Sequence, residues 1–433
     1  MLDVRRMANA NTNENACPRC GKEFLKKAGL TAHGKRKTPC KAVEEEEFRD
    51  VSKGFNRDLT KEERQEQGIF FTPKKARDLL FAKLQTLGVK PKTILEPSFG
   101  SGEFLLDAKA VYPESTLYGV EKNEKLFKSL KLEGANLTCC DFLEWEGRAD
   151  LILGNPPYFV MPSAKGKCEE AMTGRPNIYV LFLYKCLKEH LNDGGVLAFI
   201  IPTSLYNCSY YQPMRNYIAQ HTTVRHVETL DKPGFFETGQ ETMLLILEKG
   251  KHNNDFLFNA PNGNIYLSPA CAELSALSKG ATTLRDLGLG AKTGNIVWNQ
   301  VKGDLQDAPT GGSLLVYSSN IKDGSLVLNK LTGTKGLKKQ YVVSKKPTIS
   351  GPVILVERGY GNSFRFNAVR TDLKDFYAEN HVNVIYPKTP DAVKHLDRVM
   401  KSMNDVRCST FMKTLIGNGS ISATDMETLM PVL

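Results

Sequence analysis

The four residues Asn155, Pro156, Pro157 and Tyr158 combine groups that suit chemistry on a planar amine. They follow DLILG, which has the composition of a buried strand. Proline has no amide proton, so this tetrad leaves the Pro156 carbonyl without a ladder donor and holds the loop rigid. That carbonyl and the Asn155 side-chain oxygen can accept both hydrogens of an amino group and direct its lone pair at an electrophile. We expect Tyr158 to stack on the ring that bears the amine; a Pro-Pro turn that merely ends a strand is the alternative.

The segment ILEPSFGSGEFL is typical of a strand that ends at Glu96 and leads into a nucleotide-binding loop. Gly100 and Gly102 let the backbone approach a ligand closely, and the following helix offers free amides to polar ligand atoms. A pyrophosphate fingerprint needs a third glycine where Leu105 stands, so the spacing favours a smaller nucleoside such as S-adenosylmethionine over a dinucleotide. A structural turn explains an isolated pair of glycines equally well.

Acidic side chains stand at the ends of the next two predicted strands. Glu121 closes YGVE at the spacing from the glycines where an acid accepts ribose hydroxyls. Asp141 closes CCD, where it would accept from the adenine amine of the cofactor, and Phe142 would stack on that adenine ring. An aspartate that caps a helix and a phenylalanine of the core are the alternative interpretations.

The elements that must position these residues alternate along the chain up to about Gly250. Seven short apolar segments are separated by patterns with apolar residues at three- and four-residue spacing, as in a doubly wound α/β sheet. The predicted strands are TILEPS, TLYGVEK, NLTCCDF, DLILGN, VLAFIIP, HVETLD and TMLLILEKG. We therefore predict a Rossmann-like α/β domain with a seven-stranded sheet over residues 68–252.

The order FFTP, EPSFGSGEF, YGVEKNE, CCDF and NPPY resembles the gamma class of amino-methyltransferases, which act on adenine in DNA. The resemblance implies a class I methyltransferase fold and transfer of a methyl group from S-adenosylmethionine to N6 of an adenine flipped out of duplex DNA. It also implies a restriction-modification system with a companion endonuclease. In that family the FFTP-type segment contacts the methionine end of the cofactor, which implies this role for Phe71, Thr72 and Pro73.

The same resemblance implies an aromatic clamp for the flipped base. The family uses an aromatic residue before a late strand for this purpose, and KPGFFETGQETMLLILEK offers Phe235 or Phe236. We favour Phe235 slightly as the partner of Tyr158 in the sandwich. Because core phenylalanines are more common than base clamps, a buried core position is the alternative.

A second domain, of α+β type, is predicted over residues 253–433, with a helix around residues 393–403. From about Thr282 this region resembles the target-recognition domains of the same family. The stretch from Lys330 to Lys346 holds six lysines and no acid, which suits a polyanion, although a solvated surface explains a charge run equally well. The residues expected to contact phosphates or guanine edges are Lys338, Lys339, Lys345, Lys346, Arg358 and Arg365.

Cys17, Cys20, His33 and Cys40 have a spacing typical of a small ββα zinc finger, predicted over residues 1–41. So few residues cannot bury a core without a structural Zn²⁺. Ten Lys or Arg against three Asp or Glu in this segment favour nucleic acid. The final cysteine replaces the usual histidine at a longer spacing, so a finger that docks on protein is the alternative. Residues 42–67 are predicted to be a charged linker or an exposed helix.

Bulk composition fits an ordinary folded enzyme of two or three domains. The 433 residues are 41% hydrophobic and 24% charged, with net charge +10, and ten cysteines without a secretory segment argue against a disulfide framework. We expect an intracellular monomer, in the cytoplasm or in a nucleus or viral factory, that binds double-stranded DNA and no membrane. The competing functions are an RNA-base or protein-glutamine methyltransferase, which share NPPY-like tetrads, or an inactive zinc-finger nucleic-acid-binding protein on the same fold.

Overall fold

A computed structural model describes most of the chain between residues 48 and 433. The described residues are 31, 48–58, 68, 70–162, 170–174, 177–230, 241–250, 255–328, 332–333, 336–337, 339–359, 365–417 and 421–433. The four predicted zinc ligands, both candidate base-clamp phenylalanines and Lys338 lie outside these ranges.

Seven strands of the first half form one sheet, as the sequence predicts. They are β1 (Thr93–Glu96), β2 (Thr116–Glu121), β3 (Ala135–Cys139), β4 (Ala149–Gly154), β5 (Leu191–Pro202), β6 (Thr222–Leu230) and β7 (Thr242–Lys249). Their order is β3-β2-β1-β4-β5-β7-β6, and β7 runs antiparallel to both of its neighbours while the other pairs are parallel. This order and direction are those of the class I S-adenosylmethionine-dependent methyltransferase fold, so the predicted seven-stranded α/β sheet is confirmed.

Helices cover both faces of this sheet. They are α1 (Asp50–Asp58), α2 (Lys74–Thr86), α3 (Glu103–Val111), α4 (Glu124–Ser129), α5 (Ile178–Lys185) and α6 (Gln212–His221). Successive side chains of a strand point to opposite faces, and in β5 Val196, Ala198 and Ile200 join one core while Leu197, Phe199 and Ile201 join the other. Because both faces are buried, the central strands are apolar throughout rather than alternating.

Among its described residues, the second half contains two four-stranded sheets and four more α-helices. Its strands are β8 (Leu257–Asn259), β9 (Ile265–Leu267), β10 (Leu289–Thr293), β11 (Leu305–Gln306), β12 (Ser313–Val316), β13 (Ile321–Lys322), β14 (Ser325–Leu326), β15 (Thr332–Gly333), β16 (Gly336–Leu337), β17 (Tyr341–Val342), β18 (Val353–Glu357), β19 (Ala368–Thr371), β20 (Tyr377–Ala378) and β21 (Val382–Pro387). The helices are α7 (Cys271–Leu277), α8 (Leu396–Asn404), α9 (Val406–Ile416) and α10 (Ala423–Leu429). The larger sheets have the orders β10-β21-β18-β19 and β11-β17-β12-β20.

The helix expected around residues 393–403 is present as α8, which begins at Leu396 after a 3₁₀ turn over Pro390–His395. Helices α9 and α10 were not predicted individually. Side chains of all three pack against one face of the β10-β21-β18-β19 sheet. None of the helices in the described ranges is long and apolar enough to cross a membrane.

The β8–β9 hairpin lies between the cores of the two halves. Leu257 and Leu267 pack with the core of the seven-stranded sheet, whereas Phe258 and Tyr266 belong to the core around α9. A second link comes from Asn207, whose side-chain nitrogen donates to the carbonyls of Leu415 and Ile416 at the end of α9. The predicted division near residue 252 stays a prediction, since the hairpin just after it contacts both halves.

Candidate active site

A cavity of about 460 Å³ opens at the carboxyl ends of the parallel strands. This is the edge where ligands bind in open α/β sheets, and the volume lies in the range that holds a small-molecule ligand. Predicted site residues from five separate segments meet in its wall, namely Phe71, Gly100, Glu121, Asp141, Phe142, Asn155 and Pro157. Pro73, Glu96 and Gly102, also predicted to bind the cofactor, are not in this wall.

The two glycines of the loop after β1 have different roles. Both have positive φ, 54° at Gly100 and 77° at Gly102. A Cβ at Gly100 would meet only the Phe71 ring, at 3.8 Å, so its backbone faces open space. A Cβ at Gly102 would lie 2.3 Å from the Leu130 side chain, which makes glycine necessary for packing and for the left-handed turn that begins α3. The structure therefore gives Gly102 a packing role, and its contact with the cofactor stays a prediction.

Glu121 connects the turn after β2 to the glycine loop, which is the loop after β1 that contains Gly100 and Gly102. One carboxylate oxygen accepts from the Gly100 amide at 2.9 Å and the other from the Asn123 amide at 2.7 Å. Burial raises the pKa of this carboxyl, and the hydrogen bonds from Asn123 and Gly100 lower it in part. A carboxylate oxygen can accept more than one hydrogen bond, so both oxygens retain the capacity to accept from the vicinal hydroxyls of a ligand in the cavity.

Glu96 is buried beneath the loop rather than in the cavity wall. Burial raises the pKa of its carboxyl well above the ordinary value, and the neighbouring Glu121 raises it further, whereas a hydrogen bond from the Leu105 amide lowers it. Within the described chain its Oε2 has no hydrogen-bond partner. A buried carboxyl with one unpaired oxygen beside a cavity is typical of a binding site, where function outweighs stability.

Replacing Glu96 by glutamine should therefore stabilise the fold at alkaline pH. A carboxyl with a pKa raised by folding contributes stability below its unfolded pKa, and this contribution is lost as the pH rises through the folded pKa. Glu96→Gln cannot ionise, so its free energy of unfolding at about pH 8 should exceed that of the wild type. Denaturant titrations should show the difference shrinking towards pH 5.

The exposed Glu114→Gln serves as the control and should show no such pH-dependent gain. A Glu96→Gln variant that is less stable than the wild type at pH 8, or a gain that does not change with pH, would contradict the burial argument.

Asp141 and Phe142 combine structural contacts with a place in the cavity wall. Asp141 accepts from the Leu143 amide at 3.0 Å and pairs with Lys122 at 2.8 Å; burial acts to raise the pKa of its carboxyl, but Lys122 and the amide lower it overall. Phe142 is buried against the Phe182 ring, with centroids 4.8 Å apart. The helix-capping interpretation of Asp141 is thus correct, yet both side chains still line the cavity.

The side-chain amide of Asn155 is held in one orientation. Its nitrogen donates to Thr72 Oγ1 at 3.0 Å and to the Phe70 carbonyl at 3.3 Å. Its oxygen is thereby turned away from the FFTP segment and accepts from the Tyr158 hydroxyl. Thr72 thus fixes the group expected to bind the amine, and its own contact with the cofactor stays a prediction. The amide can therefore offer a substrate only its acceptor.

The ring of Tyr158 is held by its hydroxyl and by one neighbouring ring. The hydroxyl oxygen also lies 2.6 Å from the Ile200 carbonyl oxygen, so its single proton is shared between that carbonyl and Asn155 Oδ1, and Tyr179 packs edge-on with ring centroids 6.0 Å apart. Burial raises the pKa of the Tyr158 hydroxyl well above the ordinary value, so the group stays protonated and keeps donating. Tyr158 itself is not part of the cavity wall, although its neighbours Pro157 and Phe159 are.

Several wall residues escaped the sequence analysis. Phe159 and Met161 follow the tetrad, and Ile178 and Phe182 lie on α5. The last two lie in the segment IYVLFLYK, which is apolar on all sides. This pattern predicts a helix that is buried on more than its sheet-facing side. Apolar residues of this kind line most small-molecule sites.

Five of the six residues predicted to touch DNA lie within the described part of the second half. Lys346 Nζ donates to the Asn295 carbonyl at 2.5 Å and Lys339 Nζ to the Leu305 carbonyl at 3.2 Å. Lys345 is also exposed, as is Arg365, while Arg358 is half-buried. No group of three or more His, Cys, Asp or Glu residues suited to a metal ion occurs within the described ranges.

Comparison with known proteins places this arrangement in a family. The profile described as Eco57I restriction-modification methylase matches residues 104–236. The type II methyltransferase M.CvrRI of Paramecium bursaria Chlorella virus XZ-6E is 32% identical over 383 residues, 87% of this chain and 96% of the relative. The modification methylase CviBIII of Paramecium bursaria Chlorella virus NC1A is 30% identical over 394 residues, 87% and 97% of the two chains.

Among solved structures, the type IIG restriction endonuclease BpuSI aligns with 88% of this chain and 60% of its own, at 12% identity and a TM-score of 0.40. The fold assignment rests on the strand order and not on this likeness. The two viral relatives match almost end to end at 30% identity or more. The chain therefore belongs to the family of type II restriction-modification methyltransferases.

Proposed function

We propose that this protein transfers a methyl group from S-adenosylmethionine to N6 of an adenine that is flipped out of duplex DNA. The observation that carries the proposal is the fixed Asn155 amide, whose nitrogen is bound by Thr72 and Phe70 and whose oxygen faces away from them. An amide free to flip would present a donor half of the time, and a donor repels the hydrogens of an amine. A locked acceptor suits that amine.

The Pro156 carbonyl supplies the second acceptor of the proposed reaction. No backbone amide in the described chain donates to it. With one amine hydrogen on Asn155 Oδ1 and the other on this carbonyl, the nitrogen lone pair is drawn out of conjugation with the ring. Bound S-adenosylmethionine would supply the electrophilic methyl group. Asn155 and the Pro156 carbonyl would hold the amine nitrogen towards that methyl group, which would be transferred with S-adenosylhomocysteine as the leaving product, and the methylated nitrogen would lose one proton to water without a strong base.

The cavity supports S-adenosylmethionine as the cofactor. Glu121 lies where it can accept ribose hydroxyls, and Phe142 with Phe182 forms an aromatic wall for an adenine ring. The cavity extends from Glu121 to Asn155, so one ligand can reach both. A base flipped from a duplex must reach Asn155 from outside the cofactor cavity, and we propose that Tyr158 stacks on it there, opposite Phe235 or Phe236.

The substrate class is tested by offering the full-length protein methyl-labelled S-adenosylmethionine with duplex DNA, structured RNA or a protein extract. We expect label in the duplex alone. Label in RNA or in protein would overturn the DNA proposal while leaving the methyltransferase fold intact. Titration of S-adenosylmethionine without any substrate separates both results from an inactive protein, which would bind no cofactor.

We propose that duplex DNA lies on a basic strip in the second half. The strip consists of six exposed residues, Trp298, Lys302, Lys339, Val343, Lys345 and Lys346. Pairing of β11 with β17 and the two lysine-to-carbonyl bonds hold its segments side by side. Exposed cations beside exposed apolar side chains are typical of nucleic-acid contacts, where lysines bind phosphates and rings contact bases or sugars.

Trp298 should respond directly to DNA. It is 42% exposed, with Lys302 Nζ 5.1 Å from the ring centroid, and Trp145 is the only other tryptophan in the sequence. In a Trp145→Phe variant all tryptophan fluorescence comes from Trp298, and we expect added duplex to shift its emission and to shield it from iodide. Trp298→Ala should weaken duplex binding about tenfold, as for an aromatic contact at an interface.

The control for that measurement is Val406→Ala, which removes another exposed apolar side chain at the start of α9. It should bind duplex like the wild type. Unchanged Trp298 fluorescence and unchanged affinity of Trp298→Ala would place DNA elsewhere on the molecule. The lysines of the strip, the two arginines Arg358 and Arg365, and Lys338, which lies outside the described residues, remain proposals for phosphate or base contacts.

We also propose that Cys17, Cys20, His33 and Cys40 bind one structural Zn²⁺. Four soft ligands at this spacing and the short basic segment around them support the proposal. Protein purified without added metal should contain about one zinc per chain by atomic emission, and Cys17→Ser with Cys20→Ser should contain none. Zinc retained by the double variant would contradict the assignment. A companion endonuclease and a monomeric state are further proposals.

A further inference from the structure

Helix α1 is fastened to the glycine loop by one fully buried hydroxyl. Ser52 Oγ lies 2.5 Å from Glu103 Oε1 and 2.9 Å from Ser101 Oγ. A hydroxyl has one proton, and the shorter distance assigns the proton of Ser52 to the Glu103 carboxylate, with Ser101 Oγ as its second polar neighbour. The Arg49 amide, just before α1, donates to the same Glu103 oxygen at 3.1 Å. A segment whose composition predicted a charged linker or exposed helix is thus packed against the loop that borders the cavity.

Glu103 also forms a buried ion pair with Arg77. Its other oxygen accepts from Arg77 Nη1 at 2.7 Å, and the side chains are only 4% and 5% exposed. Arg77 Nε pairs with Asp107 at 2.6 Å. A buried ion pair keeps one geometry when every donor and acceptor is satisfied, and loses it when one partner is removed. Ser52 supplies one of the three hydrogen bonds that satisfy Glu103.

Arg77 in turn holds the segment that orients Asn155. Its Nη1 donates to the Thr72 carbonyl at 2.5 Å, and Thr72 Oγ1 accepts from the Asn155 side-chain nitrogen at 3.0 Å. Thr72 is 4% exposed, so solvent cannot replace either contact. An unbroken series of hydrogen bonds therefore runs from α1 through Glu103, Arg77 and Thr72 to the side chain of Asn155.

We propose that Ser52 is a positioning residue for methyl transfer. Its hydrogen bond to the Glu103 carboxylate fixes the glycine loop. Through Arg77 and Thr72, the same hydrogen bond fixes the Asn155 amide. Ser52 stands well before residues 104–236, where the family profile matches. The working methyltransferase unit then includes α1, which no motif in the sequence marked. The part of this proposal that concerns reaction rate rests on the proposed function, whereas the part that concerns cofactor affinity does not.

Three full-length variants test the role of Ser52. Ser52→Ala removes the hydroxyl, Ser52→Thr keeps it, and Asp50→Asn alters an exposed residue of the same helix. For each we would measure the Kd for S-adenosylmethionine without DNA, the single-turnover rate of methyl transfer at saturating cofactor and duplex, and the Tm. We expect Ser52→Ala to bind cofactor about threefold more weakly and to react about tenfold more slowly at a temperature where it is fully folded.

Rescue separates positioning from simple stability. Ser52→Thr should restore most of both the affinity and the rate, and Asp50→Asn should match the wild type. The proposal is overturned if folded Ser52→Ala reacts and binds like Asp50→Asn, or if Ser52→Thr is as impaired as Ser52→Ala. If the wild type methylates no DNA, the proposed function fails, and the role of Ser52 is then tested by the Kd for S-adenosylmethionine alone. An unchanged Kd in Ser52→Ala would in that case refute its role.

Discussion

Asn155→Ala should lose nearly all methyl transfer while it still binds S-adenosylmethionine. The variant lacks the oriented acceptor for the amine, and removal of one preorganised hydrogen-bonding group from an active site lowers kcat by about 10²–10³-fold. Cofactor affinity should fall much less, because Glu121 and the glycine loop do not depend on the Asn155 side chain. Single-turnover transfer and calorimetric titration of the cofactor measure the two effects separately.

Two further variants sharpen this result. Asn155→Asp keeps an acceptor but cannot donate to Thr72, so its activity should lie between those of the wild type and Asn155→Ala. Asn192→Ala is the matched control. Asn192 lies at the start of β5, its side chain donates to Asp150, and it is not part of the cavity wall. Full activity of Asn155→Ala would remove Asn155 from the mechanism.

Glu121→Ala should weaken S-adenosylmethionine binding about 100-fold, the second large effect. The carboxylate is expected to accept two ribose hydroxyls, and each hydrogen bond to a charged group contributes about 1.5–3 kcal/mol. Its loss also frees the Gly100 and Asn123 amides that it now holds. The Kd by calorimetry reports the change, and kcat at saturating cofactor should fall far less than KM rises.

Glu124→Ala provides the comparison for this variant. Glu124 is an exposed acid three residues away that pairs with Lys128 at 2.9 Å, so its removal should leave the Kd unchanged. Similar Kd values for Glu121→Ala and the wild type would show that the cofactor's ribose lies elsewhere, and Asp141 would then be the next acid to test.

The sheet was predictable because its information is local. A strand buried on both faces must be apolar throughout, so segments such as DLILGN and VLAFIIP identify themselves. Strands that run parallel place their carboxyl ends at one edge, which is why residues predicted separately, such as Gly100, Glu121 and Asn155, line one cavity. Most of the described strands of the second half are only two or three residues long, which is too short to show this pattern.

The contacts that hold the site were not predictable, because they join residues far apart in sequence. Thr72 was expected to touch the cofactor, yet its hydroxyl accepts from Asn155, 83 positions later. The pairing of Ser52 with Glu103 spans 51 positions and involves a segment whose composition suggested only a linker. A motif marks which residue types occur, whereas the partner of each polar group depends on how the helices pack.

The most direct test of the central claim is the identity of the methylated nucleoside. The purified protein and its Asn155→Ala variant would be incubated with methyl-labelled S-adenosylmethionine and plasmid DNA of mixed sequence, and the digested nucleosides separated by mass. We predict label in N6-methyladenine with the wild type, and about 10²–10³-fold less with the variant. Label in N4-methylcytosine, or equal labelling by both proteins, would contradict the account.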